Sequence, residues 1–369
     1  MKKTLNIVKL YFTEPLALMS EKKDEFQKEV VSYPSDTLKG ALVSGLAWGL
    51  RDKDMASLNR KTEKFNENLR VSAAYLFYED RKQNKSYYFF PKPMTRLPVK
   101  PTGKPGESKR IKKIQFIEKS LFEKILKAET FPLDDSQTLH NGKIIVSDKS
   151  VFREKVKLYA SETYGRVKIG NVNVLGDGEK GSPFYVSRTF FYHKKDKETD
   201  GVAGLYFIFE AADEETMTML DIALKVLEDE GLGADRRLGN GRFSYRMSTM
   251  ELNIPDQADR QMILSKYIPT QEEIKGKVLE NASYNLTKRG GYVSGTLQEN
   301  FAHYSKRNIY TIDEASVFDI EHTLAGKYVD LLDEKNRKEI GHPVWREGRP
   351  LSIALKESGN QEQQNNCEN

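Results

Sequence analysis

Residues 203–243 read AGLYFIFEAADEETMTMLDIALKVLEDEGLGADRRLGNGRF, and this stretch decides the fold. Its first eight residues are apolar and β-prone, which predicts a strand. Asp213 can cap the helix that follows. The apolar residues of this helix recur at helical spacing, at Met217, Leu220, Leu224 and Leu227. A glycine-rich loop then leads into another strand.

The N-terminal part of the chain has a matching order of elements. Residues 5–14, LNIVKLYFTE, predict a strand rather than a signal peptide, because Lys9 interrupts the apolar run and no small-residue cleavage site follows. Residues 35–51 predict a helix, and residues 71–78 and 87–90 predict two strands. The order strand–helix–strand–strand–helix–strand indicates an α+β fold of the ferredoxin-like (RRM) type.

This domain is predicted to span residues 1–250 and to carry a large insertion at about 91–192, which contains a basic loop and a hairpin. Residues 251–356 contain weaker β-patterns and predict a second, degenerate ferredoxin-like α+β domain. The polar residues 357–369 predict a disordered tail. No stretch is apolar enough for a membrane span. Because the only cysteine, Cys367, lies in this tail, a reducing cytoplasm is expected.

The distribution of charge favours a polyanionic partner. The net charge of the chain is only +5, but residues 92–119 hold nine Lys or Arg and two Glu. Concentrated basic charge in a nearly neutral protein is typical of nucleic-acid binding, although a solvated lysine-rich loop would show the same pattern. No cofactor is expected, because GLGADR lacks the third glycine of a dinucleotide fingerprint and no helix opens with a P-loop sequence.

The glycine-rich loop at residues 231–243 is the sharpest functional motif. Glycines permit positive φ and close approach of another backbone, and arginines present forked donors suited to phosphate. We therefore predict a flexible, exposed loop whose main-chain N–H groups and guanidiniums bind an RNA backbone. The alternative is a helix C-cap followed by an ordinary turn. The residues concerned are Gly231, Gly233, Arg236, Arg237, Gly239, Gly241 and Arg242.

Three further sets of basic residues are candidates for RNA contact, and for each the alternative is a solvated charge. Lys39 lies near the start of the first predicted helix, where helix N–H groups can share a phosphate. Basic and aromatic residues interleave on a predicted hairpin at 163–192, whose candidates are Arg166, Lys168 and Arg188. Its polar tip could act as a wedge against a nucleic-acid stack. Lys288 and Arg289 precede a pair of glycines.

Several segments, taken in order, carry a family resemblance. They are YPSDTLKGAL (33–42), YYFFPKP (87–93), IKKIQFI (111–117), YVSRTFF (185–191), the glycine loop, YNLTKRGGY (284–292) and GHPVWREGRPL (341–351). The loop alone resembles the RAMP superfamily of CRISPR proteins. The ordered set resembles its family of fourth Csm subunits, from type III-A effector complexes. The chain departs from that family in extra residues around 50–70 and 130–160.

The resemblance implies a function. Such a subunit binds the 5′ repeat-derived tag of the crRNA and contacts a large polymerase-like subunit and a backbone RAMP subunit, and it meets target RNA indirectly. It is not an enzyme. The alternative is a metal-independent crRNA-processing endoribonuclease of the same superfamily. Because residues 31–51 contain no histidine to act as general acid or base, the binding function is favoured.

Overall fold

The structure is a computed structural model that describes residues 1–18, 32–101, 103, 105–133, 137–148, 152, 157–167, 183–195, 200–293 and 304–357. Its α-helices are α1 (Ser35–Leu50), α2 (Met55–Asn68), α3 (Glu107–Lys113), α4 (Lys119–Leu126), α5 (Glu214–Glu230), α6 (Gln271–Lys275) and α7 (Glu334–Ile340). The strands of the first 253 residues are β1 (Lys2–Phe12), β2 (Leu16–Leu18), β3 (Leu69–Val71), β4 (Tyr75–Asp80), β5 (Lys85–Pro91), β6 (Phe116–Glu118), β7 (Thr138–Leu139), β8 (Ile144–Ile145), β9 (Tyr159–Val167), β10 (Pro183–Phe191), β11 (His193–Lys195), β12 (Asp200–Ala211) and β13 (Phe243–Asn253). Seven short strands follow: β14 (Arg260–Ile263), β15 (Leu286–Arg289), β16 (Ile309–Ile312), β17 (Val317–Asp319), β18 (Val329–Asp330), β19 (Trp345–Arg346) and β20 (Ser352–Leu355).

The central sheet has the order β13-β1-β12-β4, and all of these neighbours are antiparallel. β12 is buried along most of its length, and β1 is buried at five of its eleven residues. With α1 after β1 and α5 after β12, the connectivity is that of a ferredoxin-like unit. The predicted α+β class is confirmed, and the predicted strands and helices of this unit are present.

α1 and α5 lie against each other at close range. A Cβ built on Gly45 of α1 would stand 2.9 Å from the Ala223 carbonyl oxygen and 3.0 Å from Leu227 Cγ, both in α5. α5 begins as predicted, since the Asp213 side chain accepts the Thr216 N–H at 2.7 Å. The two helices therefore pack with a glycine in their contact, which sets how closely they approach.

The insertion builds two structures on this core. β5, β6, β8 and β7 extend the central sheet, and Phe122 of α4 stacks on Phe90 at 4.3 Å between ring centroids. β9 and β10 form the predicted hairpin, and β10 also pairs with β2. Within the segment 91–110 that was predicted as a loop, helix α3 begins at Glu107. The hairpin tip lies outside the described residues.

The C-terminal part forms a three-stranded sheet, β17-β14-β20, and two ribbons, β15–β16 and β18–β19. Short strands are present in this part, where the sequence predicted weak β-patterns. This part shares the main hydrophobic core with the first domain, since Met262 and Ile353 belong to the same cluster as Ile7. The Leu264 carbonyl accepts the Tyr75 hydroxyl at 2.7 Å. The domain division at residue 250 stays a prediction.

Candidate nucleic-acid interface

The glycine loop folds tightly onto itself, onto β2 and onto the residue just before β2. Gly231, Gly233 and Gly241 have φ values of 80°, 87° and 77°, in the left-handed region that favours glycine. A Cβ on Gly233 would collide with the Ala17 carbonyl, and one on Gly241 with the Leu232 carbonyl. The glycines are therefore required by close backbone packing.

The main-chain N–H groups of this loop are used inside the protein. Ala234 N donates to Ala17 O at 2.8 Å, and Gly241 N donates to Pro15 O at 2.9 Å. Gly239 N donates to Arg236 O at 2.9 Å and closes a short 3₁₀ turn. The prediction of a flexible loop that binds an anion through its N–H groups is therefore wrong at these positions.

The arginines of the loop lie on the outside of this scaffold. Arg237 and Arg242 are exposed, and Arg236 is half-buried. Positive charge is thus held on a fixed turn, and guanidiniums keep their charge at any physiological pH. The loop can contact phosphate groups through these side chains.

The hairpin lies next to the glycine loop, because both contact β2. Arg188 of β10 lies opposite Ala17 in the β2 register, and the Ala17 carbonyl also holds the glycine loop. The Arg188 guanidinium stands 5.1 Å from the centre of the Tyr164 ring, within cation–π range. Arg166 lies on β9 opposite Phe184, and Lys168 lies outside the described residues. Hairpin and glycine loop therefore flank one short strand.

Lys39 does not lie on this surface, and its predicted RNA contact is wrong. Its side chain is 2% exposed, and its ammonium donates to the carbonyls of Asn66, at 3.1 Å, and Leu69. Glu347 lies 3.9 Å away. Burial lowers the pKa of Lys39 to about 7, although the Glu347 carboxylate opposes the shift. Lys39 therefore holds α1 to the end of α2 and the start of β3.

Asp36 joins three of the family segments into one buried cluster. Its side chain is fully buried and accepts both Arg289 Nε at 3.0 Å and Arg346 Nη1. Burial alone would raise the pKa of Asp36, but the guanidiniums of Arg289 and Arg346 hold it well below its usual range. Arg289 is thus engaged in an internal ion pair, and its contact with RNA stays a prediction. Lys288, the preceding residue, is exposed.

A second buried pair lies on the same C-terminal segment. Arg349 donates to Glu347 from Nε at 2.9 Å and from Nη2 at 2.6 Å, and its Nη1 donates to Glu67 O at 2.7 Å. Burial would raise the pKa of Glu347, but Arg349 and Lys39 lower it. The segment 341–351 therefore closes over α1 and α2.

The buried tyrosine before α1 links the cluster to the glycine loop. Burial raises the pKa of Tyr33 to about 12, against opposing effects of the Gly233 backbone and the Arg236 guanidinium. Tyr33, Asp36 and Arg236 thus lie in one region. The sequence did not identify Tyr33, Asp36 or Arg346 as site residues, although two of the family segments contain them.

Comparison with known proteins shows to which superfamily the chain belongs. The RAMP superfamily model matches residues 23–244, which is more than half of the chain. The chain belongs to the RAMP superfamily. In addition, residues 256–355 of this RAMP protein match the CRISPR Csm4 C-terminal domain.

Individual relatives agree with this assignment. A protein of Methanocaldococcus jannaschii named "CRISPR system Cms protein Csm4" is 26% identical, over 87% of this chain and 90% of its own length. A protein of the same name from Mycobacterium tuberculosis is 29% identical, over 47% of this chain and 57% of its own length. The resemblance drawn from the ordered motifs is confirmed: the findings support a Csm4-like RAMP subunit.

Solved structures show the same fold. The RAMP protein matches a chain in the crystal structure of a Csm1–Csm4 cassette in complex with pppApA, with a TM-score of 0.53 and 16% identity. A cassette in complex with cA4 matches with a TM-score of 0.53 and 18% identity. Both matches cover 96% of this chain and 99% of the other.

Two histidines of this RAMP protein have structural contacts. His140 Nε2 accepts the Leu158 N–H at 3.1 Å, and its ring stacks on Tyr159. His342 Nδ1 lies 3.0 Å from the Pro343 carbonyl. Within the described ranges no group of three or more His, Cys, Asp or Glu could hold a metal ion. None of the helices described here is long and apolar enough to cross a membrane.

Proposed function

We propose that this chain is a crRNA-binding subunit of a type III-A Csm effector complex and that it caps the 5′ repeat-derived tag of the guide RNA in antiviral defence. The main observation in support of this proposal is that the glycine loop is fixed to Pro15 and Ala17 and displays three arginines. Cations on a fixed turn bind phosphates without the cost of ordering the loop. Arg188 of the neighbouring hairpin extends the basic surface along β2.

The choice of the 5′ tag and of the partners rests on the Csm4 likeness. The chain matches the Csm4 C-terminal domain as well as the RAMP model, and its fold is that of a chain from a Csm1–Csm4 cassette. We infer that it links a large polymerase-like subunit to a backbone RAMP subunit. It meets target RNA only through the guide.

The subunit acts by binding, without a catalytic step. Two of its five histidines are engaged by packing or backbone contacts, at positions 140 and 342, and α1 contains no histidine. The runner-up, a metal-independent crRNA-processing endoribonuclease, predicts a specific cut of labelled repeat RNA without divalent metal. If the chain makes such a cut and one point substitution abolishes it, the chain is an endoribonuclease, and the proposal that it acts by binding alone is wrong.

The loop can be tested with Arg236→Ala/Arg237→Ala in the full chain. We expect affinity for single-stranded RNA with a repeat-derived 5′ end to fall about tenfold or more, because hydrogen bonds to charged groups contribute about 1.5–3 kcal/mol each. The salt dependence should also flatten, since each lost phosphate contact removes about 0.7 from the slope of log K against log salt. Fluorescence anisotropy over a salt series measures both quantities.

Arg60→Ala is the matched control for this double variant. Arg60 is an exposed arginine on α2, outside every family segment. Its removal lowers the net charge without touching the loop, so it should leave the affinity close to wild type. Equal losses in the control and the loop variants would show that only overall charge matters, and unchanged binding in the loop variants would show that the loop is a structural turn.

A further inference from the structure

The ribbon of β15 and β16, with the paired segment that continues it past Gly291, carries two of the most exposed aromatic side chains among the described residues. Tyr292 is 66% exposed and Tyr310 is 63% exposed. Each ring leaves a large apolar face in water, which is unfavourable unless a partner covers it. These tyrosines, together with Lys288 and Lys306, are called the ribbon patch below.

The four residues of the patch are neighbours through backbone pairing. Lys288 lies opposite Tyr310 in the β15–β16 register. Tyr292 forms an antiparallel bridge with Ser305, and Lys306 N donates to Gly291 O at 2.8 Å. Basic and aromatic residues therefore alternate along two paired segments, Lys288 and Tyr292 on one and Lys306 and Tyr310 on the other.

The patch is held in shape by the Asp36 cluster beneath it. Arg289 follows Lys288 in β15, and its guanidinium is fixed on Asp36. Arg346, which also binds Asp36, donates from Nη2 to Gly290 O at 3.3 Å. The backbone at Arg289 and Gly290 is thus preorganised, so a ligand need not order it.

Around Asp36, the positively charged side chains outnumber the carboxylates that they contact. Arg289, Arg346 and Lys306 act electrostatically on one another, and Asp36 is the carboxylate among them. Within the described part of the chain, the Lys306 ammonium has no hydrogen-bonded or ion-paired carboxylate. Burial and the guanidiniums of Arg346 and Arg289 together lower the pKa of Lys306 to about 8, against the raising effect of the Asp36 carboxylate. A bound anion would relieve this unfavourable arrangement of like charges.

We propose that the ribbon patch binds a segment of single-stranded RNA, with Lys288 and Lys306 on phosphates and Tyr292 and Tyr310 stacked on bases. Alternating cations and exposed aromatic rings suit a single strand, which offers phosphates and unpaired bases in turn. The proposal rests on the proposed function and gives it a second contact region. Arg289, in contrast, is a positioning residue that acts through Asp36.

Buried residues at the start of α1 connect the glycine loop to the ribbon patch. Tyr33 lies against the Gly233 backbone, and Asp36, three residues later, binds Arg289. Because Tyr33 and Asp36 are buried, they can hold the two regions in place but offer no surface to RNA.

The test uses the full chain and a fluorescein-labelled single-stranded RNA with a repeat-derived 5′ end. Tyr292→Ala/Tyr310→Ala should weaken binding roughly tenfold or more, since base stacking on an aromatic ring is lost. Tyr292→Phe/Tyr310→Phe keeps the rings and should bind like wild type. Lys306→Gln should lower the salt slope by about 0.7, whereas Lys53→Gln, an exposed lysine between α1 and α2, should not.

The outcomes separate this proposal from the proposed function. If the loop variants weaken binding while the ribbon variants and wild type are equal, the ribbon patch is not an RNA contact, and the proposed function stands. If the ribbon variants bind RNA normally but lose a co-purifying protein, the patch is a protein interface and the proposal is wrong. If wild type binds no RNA, both fail. Competition by inorganic phosphate as strong as by RNA would show a free-anion site and overturn the stacking role.

Discussion

At the scale of single residues, charges in this protein divide between the surface and a buried network. Lys39 is buried among backbone carbonyls, with its ammonium 5.4 Å from the centre of the Phe65 ring. Breaking such a buried arrangement is costly because the remaining groups lose their partners. The charges that stabilise the fold are thus distinct from those that the loop exposes.

The first prediction follows from the lowered pKa of Lys39. The folded pKa of about 7 lies below the unfolded value of about 10.4, so between these values the unfolded state binds more protons. The contribution of Lys39 to the free energy of unfolding therefore rises with pH across this window. We expect the stability of wild type relative to Lys39→Met to increase between about pH 7 and pH 10, as measured by urea unfolding.

Lys53→Met serves as the control for this titration, because Lys53 is exposed. It should keep the same pH profile as wild type. A Lys39→Met profile that runs parallel to wild type would mean that Lys39 stays charged in the folded protein throughout the window.

At the scale of elements, the contact between α1 and α5 depends on small residues. Gly45 faces the Ala223 carbonyl across the contact, whereas Gly40 on the same helix has open space around its Cβ position. One glycine is therefore needed for packing, and the other only weakens the helix. The pair provides an internal comparison.

We predict opposite effects for alanine at these two positions. Gly40→Ala should raise the free energy of unfolding by about 1 kcal/mol, because alanine is the better helix former. Gly45→Ala should lower it by about 1–3 kcal/mol, since the added methyl group pushes α1 from the α5 backbone. Urea unfolding of both variants tests this, and a gain in stability at both positions would show that the helices adjust at no cost.

The elements that the sequence predicted well are those with strong local patterns. α5 spans the predicted residues because its cap and its apolar face agree. α2 was missed because, of its side chains, only Phe65 and Asn66 are buried, which leaves no apolar stripe. The glycine loop was located correctly, but the use of its N–H groups depends on Pro15 and Ala17, which are far away in the sequence.

Contacts between residues that are far apart in the sequence also explain the errors at the candidate site. Arg289 has the exposed, basic pattern of an RNA contact, yet its partner Asp36 is 253 positions away. Lys39 lies near Glu347, which is more than 300 positions further along the chain. Periodicity and motifs report neighbours within a few turns, so such pairings cannot be read from a single sequence.

At the scale of the whole molecule, the two halves depend on each other. The Leu264 carbonyl accepts both the Tyr75 hydroxyl and the Ala73 N–H, and Ser35 Oγ accepts the Lys266 N–H at 2.7 Å. Hydrophobic residues from both sides of residue 250 form one core. The C-terminal part therefore packs closely against the first 250 residues.

We predict that a fragment of residues 1–255 does not reach native stability. It would expose core surface that β14 and β20 cover, and it would leave Asp36 without both guanidiniums. Its thermal unfolding should be broad or shifted to lower temperature. A fragment of residues 1–357 keeps every described contact and should unfold like the full chain. Cooperative, wild-type-like unfolding of the shorter fragment would establish an independent first domain.

The Asp36 cluster also has a consequence for biosynthesis. Asp36 leaves the ribosome long before Arg346, which lies 310 positions later. At about 5–20 residues per second, this delay is roughly 15–60 seconds. Until residue 289 has been made, the start of α1 has neither of its guanidinium partners, and from then until residue 346 it has only Arg289. A growing chain that has not reached residue 346 therefore lacks the complete Asp36 cluster, so the arrangement that we propose for RNA contact can form only late in synthesis.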